Sequence, residues 1–416
     1  MHTEYIVTLD AADLGPARPV GVLRARDGAA GPVSFEYGRS WRESADAWPI
    51  DPALPVVAGE TWIAAGLPGV ISDMAPDRWG RTLLERREVR IAAQEARTAR
   101  TLHDLDFLVG VDDRSRMGAL RLSTAVGGPY LATGTDGTPP MTALRSLEHA
   151  AHEHEHERTG TVDDTVVAAL IAPGSSLGGA RPKASFLMPA GELWMAKFPS
   201  RNDRVDVGAW EEVLARLARS TGIRMPDSRL LRLGGPHHVF TTRRFDRSGG
   251  TRRAYASAMT LTGHRDGDAA SYLEIAQAIA DRVSPAAIDA DLEQLFRRLV
   301  FNVMVSNRDD HLRNHGFLRE HGGWRLSPAF DINPNPERFE HSLALDDRAT
   351  APDLAVAIST HPFYRLSEGR AETITTEIRR SVSDWRNIAR SVGNGAADGI
   401  SAAEITLMAP AFALAG

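Results

Sequence analysis

The chain has 416 residues, enough for two or three domains with sizeable hydrophobic cores. Its 43% hydrophobic and 25% charged residues are ordinary for a globular protein, and a formal net charge of −6 excludes a global basic field that would recruit nucleic acid. The absence of cysteine excludes disulfides, cysteine nucleophiles and thiolate zinc sites. No signal peptide and no apolar run of about 18 residues is present, so we expect a cytoplasmic protein.

The N-terminal part of the chain changes character near Ile71. Residues 1 to about 65 contain short apolar or alternating runs, cut by Gly, Pro and Asp, that predict strands at Tyr5–Leu9, Val20–Arg24 and Val33–Tyr37. Capping and turn residues then precede an Arg-rich segment that predicts a long helix to about Arg100. Residues 127–140 are rich in Gly and Pro and are typical of a linker.

A loop of small residues and a strand lysine follow in the middle of the chain. Residues 173–183 combine Gly, Ser and Ala before an apolar strand, and such a loop can approach phosphate through its backbone N–H groups. Most Gly/Ser clusters are plain turns, and this one is neither a Walker A sequence nor Gly-x-Gly-x-x-Gly. Lys197 lies within a second apolar strand, where an unpaired ammonium would be costly and where a phosphate and a carboxylate would satisfy it.

Glu211 is the first candidate for that carboxylate. It opens a predicted amphipathic helix, and a strand lysine followed by a helix glutamate is the order of the kinase Lys–Glu pair. The alternative is a snorkelling lysine at position 197 and a solvated glutamate in the first turn of a helix.

The segment Leu299–Asp331 has the order that phosphoryl-transfer chemistry needs. An apolar helix ends in a polar loop in which Asp309 and Asn314 match Asp-x-x-x-x-Asn, the spacing of a protein-kinase catalytic loop. A predicted hairpin, with its turn at residues 321–323, then brings Asp331 back beside Asp309. Alone, such a loop is often only a turn or a helix N-cap, so the prediction depends on the complete order.

A second set of polar residues suggests a metal site. His152, Glu153 and His156 fit His-Glu-x-x-His, whose two histidines share a helix face. The surrounding residues are charged at almost every position, which favours a solvated helix end over a buried zinc site.

Taken together, these motifs resemble the HipA-type serine/threonine kinases of bacterial toxin–antitoxin systems. The resemblance covers nearly the whole chain. Its motifs are specific when they occur together in this order, whereas only the catalytic motif is specific by itself. The segments that carry it are Leu67–Gly80, Gly179–Lys183, Met195–Pro199, Arg244–Arg247, Asn307–Asn314 and Phe330–Ile332.

The resemblance implies an α+β, protein-kinase-like bilobal fold with a β-rich N-terminal subdomain and an all-helical C-lobe. The expected divisions are residues 1–126 for the N-terminal subdomain, 141–247 for the kinase-like N-lobe and 248–416 for the helical C-lobe. The implied reaction is ATP-dependent phosphorylation of a serine or threonine hydroxyl, with Asp309 as general base and with Asn314 and Asp331 holding Mg²⁺. The implied ATP-binding residues are Gly178, Gly179, Ala180, Arg181, Pro182, Lys183, Lys197, Glu211, Arg243, Arg244, Phe245, His311, Asn314, Phe330 and Asp331.

The resemblance also implies regulation and a partner. Members of the family autophosphorylate a serine just before the phosphate loop; Ser176 stands at that position, with Ser175 beside it. A phosphate there adds close to two negative charges next to a site for ATP, which should repel nucleotide. The family's usual partner is a helix-turn-helix antitoxin, through which DNA is contacted.

Three departures from the family pattern stand out. The phosphate loop has Arg181-Pro182 where the family often has Gln-Glu, and proline removes one N–H donor. Arg243 replaces a common acid in the hinge, and a proline-rich segment follows Asp331. Three other readings remain open: a kinase for a small hydroxylated molecule, an ATP-binding regulator with weak catalysis, and a metal-dependent hydrolase built on Asp309–His311 or on the histidine run.

Overall fold

The chain forms two compact units. The structure is a computed structural model that describes residues 2–26, 31–63, 66–132, 138–156, 170, 181–393 and 398–415. Unit 1 comprises Met1–Arg201 with Asp246–Ala256, and unit 2 comprises Asn202–Phe245 with Ser257–Gly416. The proposed three-part division of the chain stays a prediction.

Unit 1 is built on a five-stranded antiparallel sheet in the order β4-β3-β2-β1-β5. Its strands are β1 (His2–Leu9), β2 (Arg18–Arg26), β3 (Val33–Tyr37), β4 (Thr61–Ile63) and β5 (Leu120–Ser123). Val7, Leu23 and Phe35 point into one buried cluster with Trp41, which gives the sheet a single apolar face. The three strands predicted from the sequence are confirmed.

The described part of unit 1 also contains helices of 4 to 17 residues. They are α1 (Arg39–Arg42), α2 (Gly69–Ser72), α3 (Arg78–Gln94), α4 (Asp104–Gly110) and α5 (Leu144–His156). The predicted Arg-rich helix is α3, but it ends at Gln94 rather than near Arg100. Ala96 adopts a left-handed φ of 51°, and the Glu88 carboxylate accepts from Arg97 Nη1 at 2.6 Å and from the Arg100 N–H at 2.9 Å. These bonds stabilise a turn that replaces the last predicted helical residues.

Unit 1 also contains two hairpins. Strands β6 (Lys183–Leu187) and β7 (Leu193–Lys197) pair antiparallel, as do β10 (Arg247–Ser248) and β11 (Thr251–Arg252). Strand β12 (Tyr255–Ser257) spans the residue at which the chain passes into unit 2.

Unit 2 begins with helix α6 (Val207–Ser220), which packs on the antiparallel strands β8 (Ser228–Leu231) and β9 (Val239–Arg243). Gly208 permits the close approach, because a Cβ there would lie 2.5 Å from the His238 carbonyl oxygen. The prediction that Glu211 opens this helix is wrong. The Asp206 carboxylate caps the helix by accepting from the Ala209 N–H at 3.0 Å, which places Glu211 in the second turn.

The rest of unit 2 is helical apart from one hairpin. Its helices are α7 (Ala258–Thr262), α8 (Tyr272–Arg282), α9 (Ile288–Met304), α10 (Leu354–Ser359), α11 (Glu368–Val382), α12 (Trp385–Ser391) and α13 (Ala402–Met408). Helix α9 is central, since it contacts α8, α10 and α11, and nearly its whole C-terminal half is buried. The predicted hairpin after the catalytic loop is confirmed as β13 (Gly316–Glu320) and β14 (Gly323–Leu326).

Ser401 caps α13 by accepting from the Glu404 N–H at 3.2 Å. The Glu404 carboxylate does not return to the cap; it accepts instead from the Asp206 N–H at 2.7 Å and from Trp210 Nε1 at 2.8 Å. None of the helices in the described ranges combines the length and apolar character needed to cross a lipid bilayer.

Candidate active site

The predicted catalytic loop leaves α9 through a left-handed residue, Ser306, with φ of 51°. Asp309 follows with its side chain 64% exposed. A short 3-10 turn over Leu312–Asn314 then holds Asn314, whose Nδ2 donates to the Asp309 carbonyl oxygen at 3.4 Å. The two residues of the Asp-x-x-x-x-Asn motif therefore share one small loop, with the carboxylate open to solvent and the amide largely buried.

The neighbouring Asp310 is an anchor for this loop. Its carboxylate is buried and accepts from His315 Nε2 at 2.8 Å, from Asn302 Nδ2 at 3.0 Å and from the Tyr272 hydroxyl. Burial acts to raise the pKa of Asp310, but the charge and hydrogen bond of His315 and the bond from Tyr272 outweigh it and lower the pKa. The two adjacent aspartates thus have opposite environments: Asp310 is buried and Asp309 is exposed.

Asp331 has the backbone geometry of a constrained site. Its φ is 57°, a left-handed conformation that is uncommon outside glycine. Asn333 Nδ2 donates to Asp331 Oδ1 at 3.3 Å, and the Asn333 N–H donates to Asn307 Oδ1 at 3.4 Å. The segment after Asp331 therefore runs back along the catalytic loop, as the hairpin prediction requires.

Arg338 is a contact of Asp309 that the sequence does not reveal. Its Nη1 donates to Asp309 Oδ1, and its own N–H donates to Asn335 Oδ1 at 3.3 Å. Arg308 Nη1 in turn donates to the Arg338 carbonyl oxygen, which ties the catalytic loop to the segment that carries the guanidinium.

The predicted adenine-binding residues 243–245 belong to unit 2, as does the metal motif. Phe245 packs on Phe330 with ring centroids 5.2 Å apart. Arg243 lies 3.6 Å from the Asp227 carboxylate, and Arg244 is buried. His311, in contrast, is exposed and caps the 3-10 turn through its backbone. The structure thus joins one hinge residue to the residue that precedes Asp331.

In unit 1, the two predicted ATP lysines face each other across a hairpin. Lys183 and Lys197 are opposite residues of β6 and β7, and opposite residues point to the same face of an antiparallel pair. Both are buried, and the Lys183 ammonium forms an ion pair with Asp77, the N-cap of α3. Trp79 Nε1 also donates to the Lys183 carbonyl oxygen at 3.2 Å. Asp77 therefore neutralises one of two like charges on this face.

The flanks of β6 complete the described part of the phosphate-loop motif. Arg181 Nη2 donates to the Phe198 carbonyl oxygen at 3.4 Å, and the Pro182 carbonyl oxygen accepts from the Phe198 N–H at 2.8 Å. The remaining predicted loop residues lie outside the described residues: Ser175, Ser176, Gly178, Gly179 and Ala180.

Glu211 is 5% exposed, so the alternative of a solvated first-turn glutamate is wrong. It belongs to unit 2 and Lys197 to unit 1, and their pairing stays a prediction. Among the described residues, no three His, Asp or Glu side chains are grouped so as to hold a metal ion. The cluster Asp309–His311 is thus not such a group.

Sequence reasoning missed three kinds of supporting residue: the Asp310 partners Tyr272, Asn302 and His315, the Lys183 partner Asp77, and Arg338. Asp77 stands in a capping pattern before α3, which predicts its role as an N-cap but not its ion pair. No sequence pattern marks the other contacts. Asp310 is 5 positions from His315 and 8 from Asn302 but 38 from Tyr272, and Arg338 is 29 positions from Asp309.

Comparisons with known proteins place this chain in a family. The model of the HipA-like C-terminal domain matches residues 175–386, and the model of the HipA N-terminal domain matches residues 15–122. No curated protein sequence matches. The catalytic loop, Asp331, Lys197 and Glu211 all lie in the first matched range.

Solved structures of other proteins also resemble this chain. The HipA chain of a Shewanella oneidensis MR-1 complex of HipA, HipB and operator DNA has a TM-score of 0.67 and 15% identity, over 98% of this chain and 96% of that one. The Helicobacter pylori proinflammatory kinase CtkA has a TM-score of 0.35 and 16% identity, over 50% of this chain and 92% of that one. The first likeness supports the HipA fold, a mixed α+β fold of the kinase type. The model of the C-terminal domain alone matches just over half of this chain. The chain therefore belongs to the HipA family of serine/threonine protein kinases.

Proposed function

We propose that this protein is an ATP- and Mg²⁺-dependent serine/threonine kinase that acts as the toxin of a HipA/HipB-like toxin–antitoxin system. One observation carries the proposal: an exposed Asp309 lies on a loop that is anchored by Asp310 and lined by the segment after Asp331. This arrangement supplies an accessible base and two oxygen donors on constrained backbone.

Asp309 takes the proton in the proposed reaction. The acceptor hydroxyl oxygen forms a bond to the γ-phosphorus of ATP, the bond from that phosphorus to the β–γ bridging oxygen breaks, and ADP leaves with the electron pair. The hydroxyl proton passes to Asp309 and from there to water. A carboxylate is suited to this role because it is charged at neutral pH and needs only hydrogen-bond reach to the hydroxyl.

Asn314 and Asp331 fit a magnesium ion. Both supply hard oxygen donors, which Mg²⁺ prefers, and protein sites commonly give it one or two carboxylates beside substrate phosphates and water. Bound there, Mg²⁺ would neutralise charge on the phosphates. Asp331 has a left-handed backbone, a conformation that is uncommon for residues other than glycine and that clusters at functional sites.

The remaining predicted residues have roles in holding ATP. Residues 178–183 would cradle phosphates through backbone groups, which leaves the Lys183 side chain to Asp77. Lys197 would contact phosphate and pair with Glu211. Residues 243–245 would meet adenine, with Phe245 supported by Phe330, while His311 lies at the edge of the catalytic loop.

The exposure of Asp309 favours a protein acceptor over a small molecule. Sites for small molecules bury most of the ligand surface, whereas Asp309 is 64% exposed and is followed in space by the exposed segment 337–340. A serine on a protein loop can reach such a carboxylate without entering an enclosed cavity.

Regulation and partnership complete the proposal. Autophosphorylation of Ser176, or of its neighbour Ser175, would place close to two negative charges beside the phosphate site and oppose ATP binding. The partner would be a helix-turn-helix antitoxin through which the kinase reaches DNA, and the Shewanella HipA structure with HipB and operator DNA supports that pairing.

The test is incubation of purified protein with labelled ATP and Mg²⁺, wild type beside Asp309→Gln, read by intact mass and phosphosite mapping. We expect phosphate on Ser176 or Ser175 in the wild type alone. If the protein phosphorylates an added protein but carries no phosphate on Ser175 or Ser176, the proposed autophosphorylation is wrong and the proposed kinase activity stands. ATP binding without transfer to any acceptor would leave a nucleotide-binding regulator.

A further inference from the structure

We propose that Arg338 is a positioning residue for phosphoryl transfer: it holds one oxygen of the Asp309 carboxylate and leaves the other for the acceptor hydroxyl. The inference rests on the proposed kinase function. Its starting point is the hydrogen bond from Arg338 Nη1 to Asp309 Oδ1, an ion pair on the residue predicted to be the general base.

The segment that carries Arg338 is fastened to the catalytic loop on both sides of the arginine. Before it, the Asn335 N–H donates to the Ser306 carbonyl oxygen at 2.8 Å. After it, the Ser342 N–H donates to the Arg308 carbonyl oxygen at 3.0 Å, and the Ser342 hydroxyl donates to the same oxygen at 3.2 Å. The backbone around the guanidinium is therefore fixed relative to Asp309 by bonds that do not involve Asp309.

Arg308 adds a third fastening from the loop side. Its guanidinium donates to the Arg338 carbonyl oxygen and, at 3.4 Å, to the Pro336 carbonyl oxygen. Arg308 thus uses its side chain to hold the backbone of the segment, while Arg338 uses its own side chain to hold the base.

The ion pair of Arg338 with Asp309 is too exposed to contribute much to the stability of the fold. Arg338 is 43% exposed and Asp309 is 64% exposed, and pairs of this kind contribute little to the free energy of unfolding. A fixed guanidinium on an exposed carboxylate has a different effect, because it limits the rotamers of a side chain that must meet a reacting hydroxyl in one orientation.

The contact also leaves the base able to work. A carboxylate has two oxygens with about four acceptor positions, and Arg338 occupies one position on Oδ1. Within the part of the chain that the structure describes, no other side chain donates to Asp309. On a side chain that is 64% exposed, Oδ2 therefore stays available to accept the proton of a substrate serine or threonine.

The experiment compares wild type with Arg338→Met, which removes the donor, and Arg338→Lys, which restores a cation. Arg348→Met is the matched control, since Arg348 forms another exposed pair with an aspartate, Asp347, at 3.3 Å. Binding of a fluorescent ATP analogue, thermal unfolding and single-turnover transfer to a protein acceptor are measured for all four proteins.

We expect Arg338→Met to lower the transfer rate by about 10- to 100-fold while the nucleotide affinity and the unfolding temperature stay at the wild-type values. Arg338→Lys should recover part of the rate, and Arg348→Met should transfer at the wild-type rate. A merely structural role would instead lower the unfolding temperature and would gain nothing from lysine.

Two outcomes would overturn the assignment. Equal transfer by wild type and Arg338→Met would show that Asp309 needs no such partner, and faster transfer by Arg338→Met would show that the arginine blocks the base. Wild type that binds nucleotide but transfers no phosphate would instead overturn the proposed kinase function, which keeps the two failures distinct.

Discussion

Two carboxylate-centred regions, one in each unit, use the same residue types for opposite purposes. In unit 1, Asp113 is fully buried and is surrounded by Arg121, Arg252 and Arg116, with Arg121 Nε at 3.0 Å from Asp113 Oδ2. In unit 2, Asp309 is 64% exposed with one guanidinium on one oxygen. The difference teaches that an ion pair's burial, rather than its presence, separates a structural carboxylate from one that can react.

The pKa values follow the same division. Burial acts to raise the pKa of Asp113, but the Arg121 hydrogen bond and the charges of Arg252 and Arg116 outweigh it and lower the pKa. Burial also lowers the pKa of Arg116 to about 10, because its guanidinium is wholly removed from water. Such a cluster is held by its own members and is unavailable to a substrate.

The largest effect on stability is expected at Asp113, the buried carboxylate of unit 1. Asp113→Ala would leave three arginines without their shared carboxylate in the interior of unit 1. We expect the free energy of unfolding to fall by about 3–5 kcal/mol, as when one partner of a buried pair is removed. Denaturant unfolding measures this decrease. A decrease of less than about 1 kcal/mol would contradict the structural role assigned to the buried cluster.

A smaller loss of stability is expected at Asp291, which is buried but whose two arginine partners are partly exposed. Its carboxylate accepts from Arg224 Nη2 at 2.6 Å, Arg325 Nε at 3.0 Å and the Leu326 N–H at 2.8 Å, and the two arginines are 41% and 27% exposed. Asp291→Ala should cost about 1–3 kcal/mol, because water can solvate the freed guanidinium groups. A loss equal to that of Asp113→Ala would show that partner exposure does not matter.

The buried ion pair of His238 with Asp206 should make the stability of the protein depend on pH. Burial acts to lower the pKa of His238, but the Asp206 hydrogen bond and charge and the Asp398 bond outweigh it and raise the pKa, while Arg232 opposes them. A raised folded-state pKa means that the stabilisation is complete below the unfolded-state pKa and is lost as pH rises through the folded-state pKa.

The stability difference between wild type and His238→Gln should therefore be largest near about pH 6 and smaller near about pH 9. Unfolding temperatures across this range give the measurement, with Arg348→Met as a control for general pH effects. A difference that grows with pH would contradict the assigned sign.

Only a small effect on stability is expected at Arg338, the partner of the exposed Asp309. Arg338→Met should change the free energy of unfolding by only about 0–1 kcal/mol, since both partners of its ion pair are exposed. Denaturant unfolding of this variant, set beside Asp113→Ala, completes the series. A loss of several kcal/mol would place the Arg338 pair with the structural clusters.

The local elements that periodicity and turn residues specify were predictable. The strands of the N-terminal sheet, helix α9 and the hairpin after the catalytic loop follow from alternation, from apolar residues at helical spacing and from Gly322, which adopts φ of 87° at the predicted turn. The start of α6 was missed because Asp206, not the region of Glu211, supplies the cap. Capping is a property of one side chain and its neighbours in space, so a composition-based boundary shifts easily.

The candidate site was predictable only where its residues share a motif. Asp309, Asn314 and Asp331 have fixed spacing and order, and the structure places them on one loop and on the segment that lines it. Asp77 is separated from Lys183 by 106 positions, and Arg338 lies in an irregular, proline-rich segment without periodicity. Contacts of this kind depend on tertiary packing and leave no trace in local sequence.

The most direct test of the account compares the two adjacent aspartates of the catalytic loop. Single-turnover phosphoryl transfer and the free energy of unfolding would be measured for wild type, Asp309→Gln and Asp310→Asn. We predict that Asp309→Gln lowers transfer by about 10²- to 10⁴-fold and changes unfolding by less than about 0.5 kcal/mol. Asp310→Asn should instead destabilise the protein by about 1–3 kcal/mol. Transfer by Asp309→Gln at the wild-type rate would contradict the assignment of Asp309 as the general base.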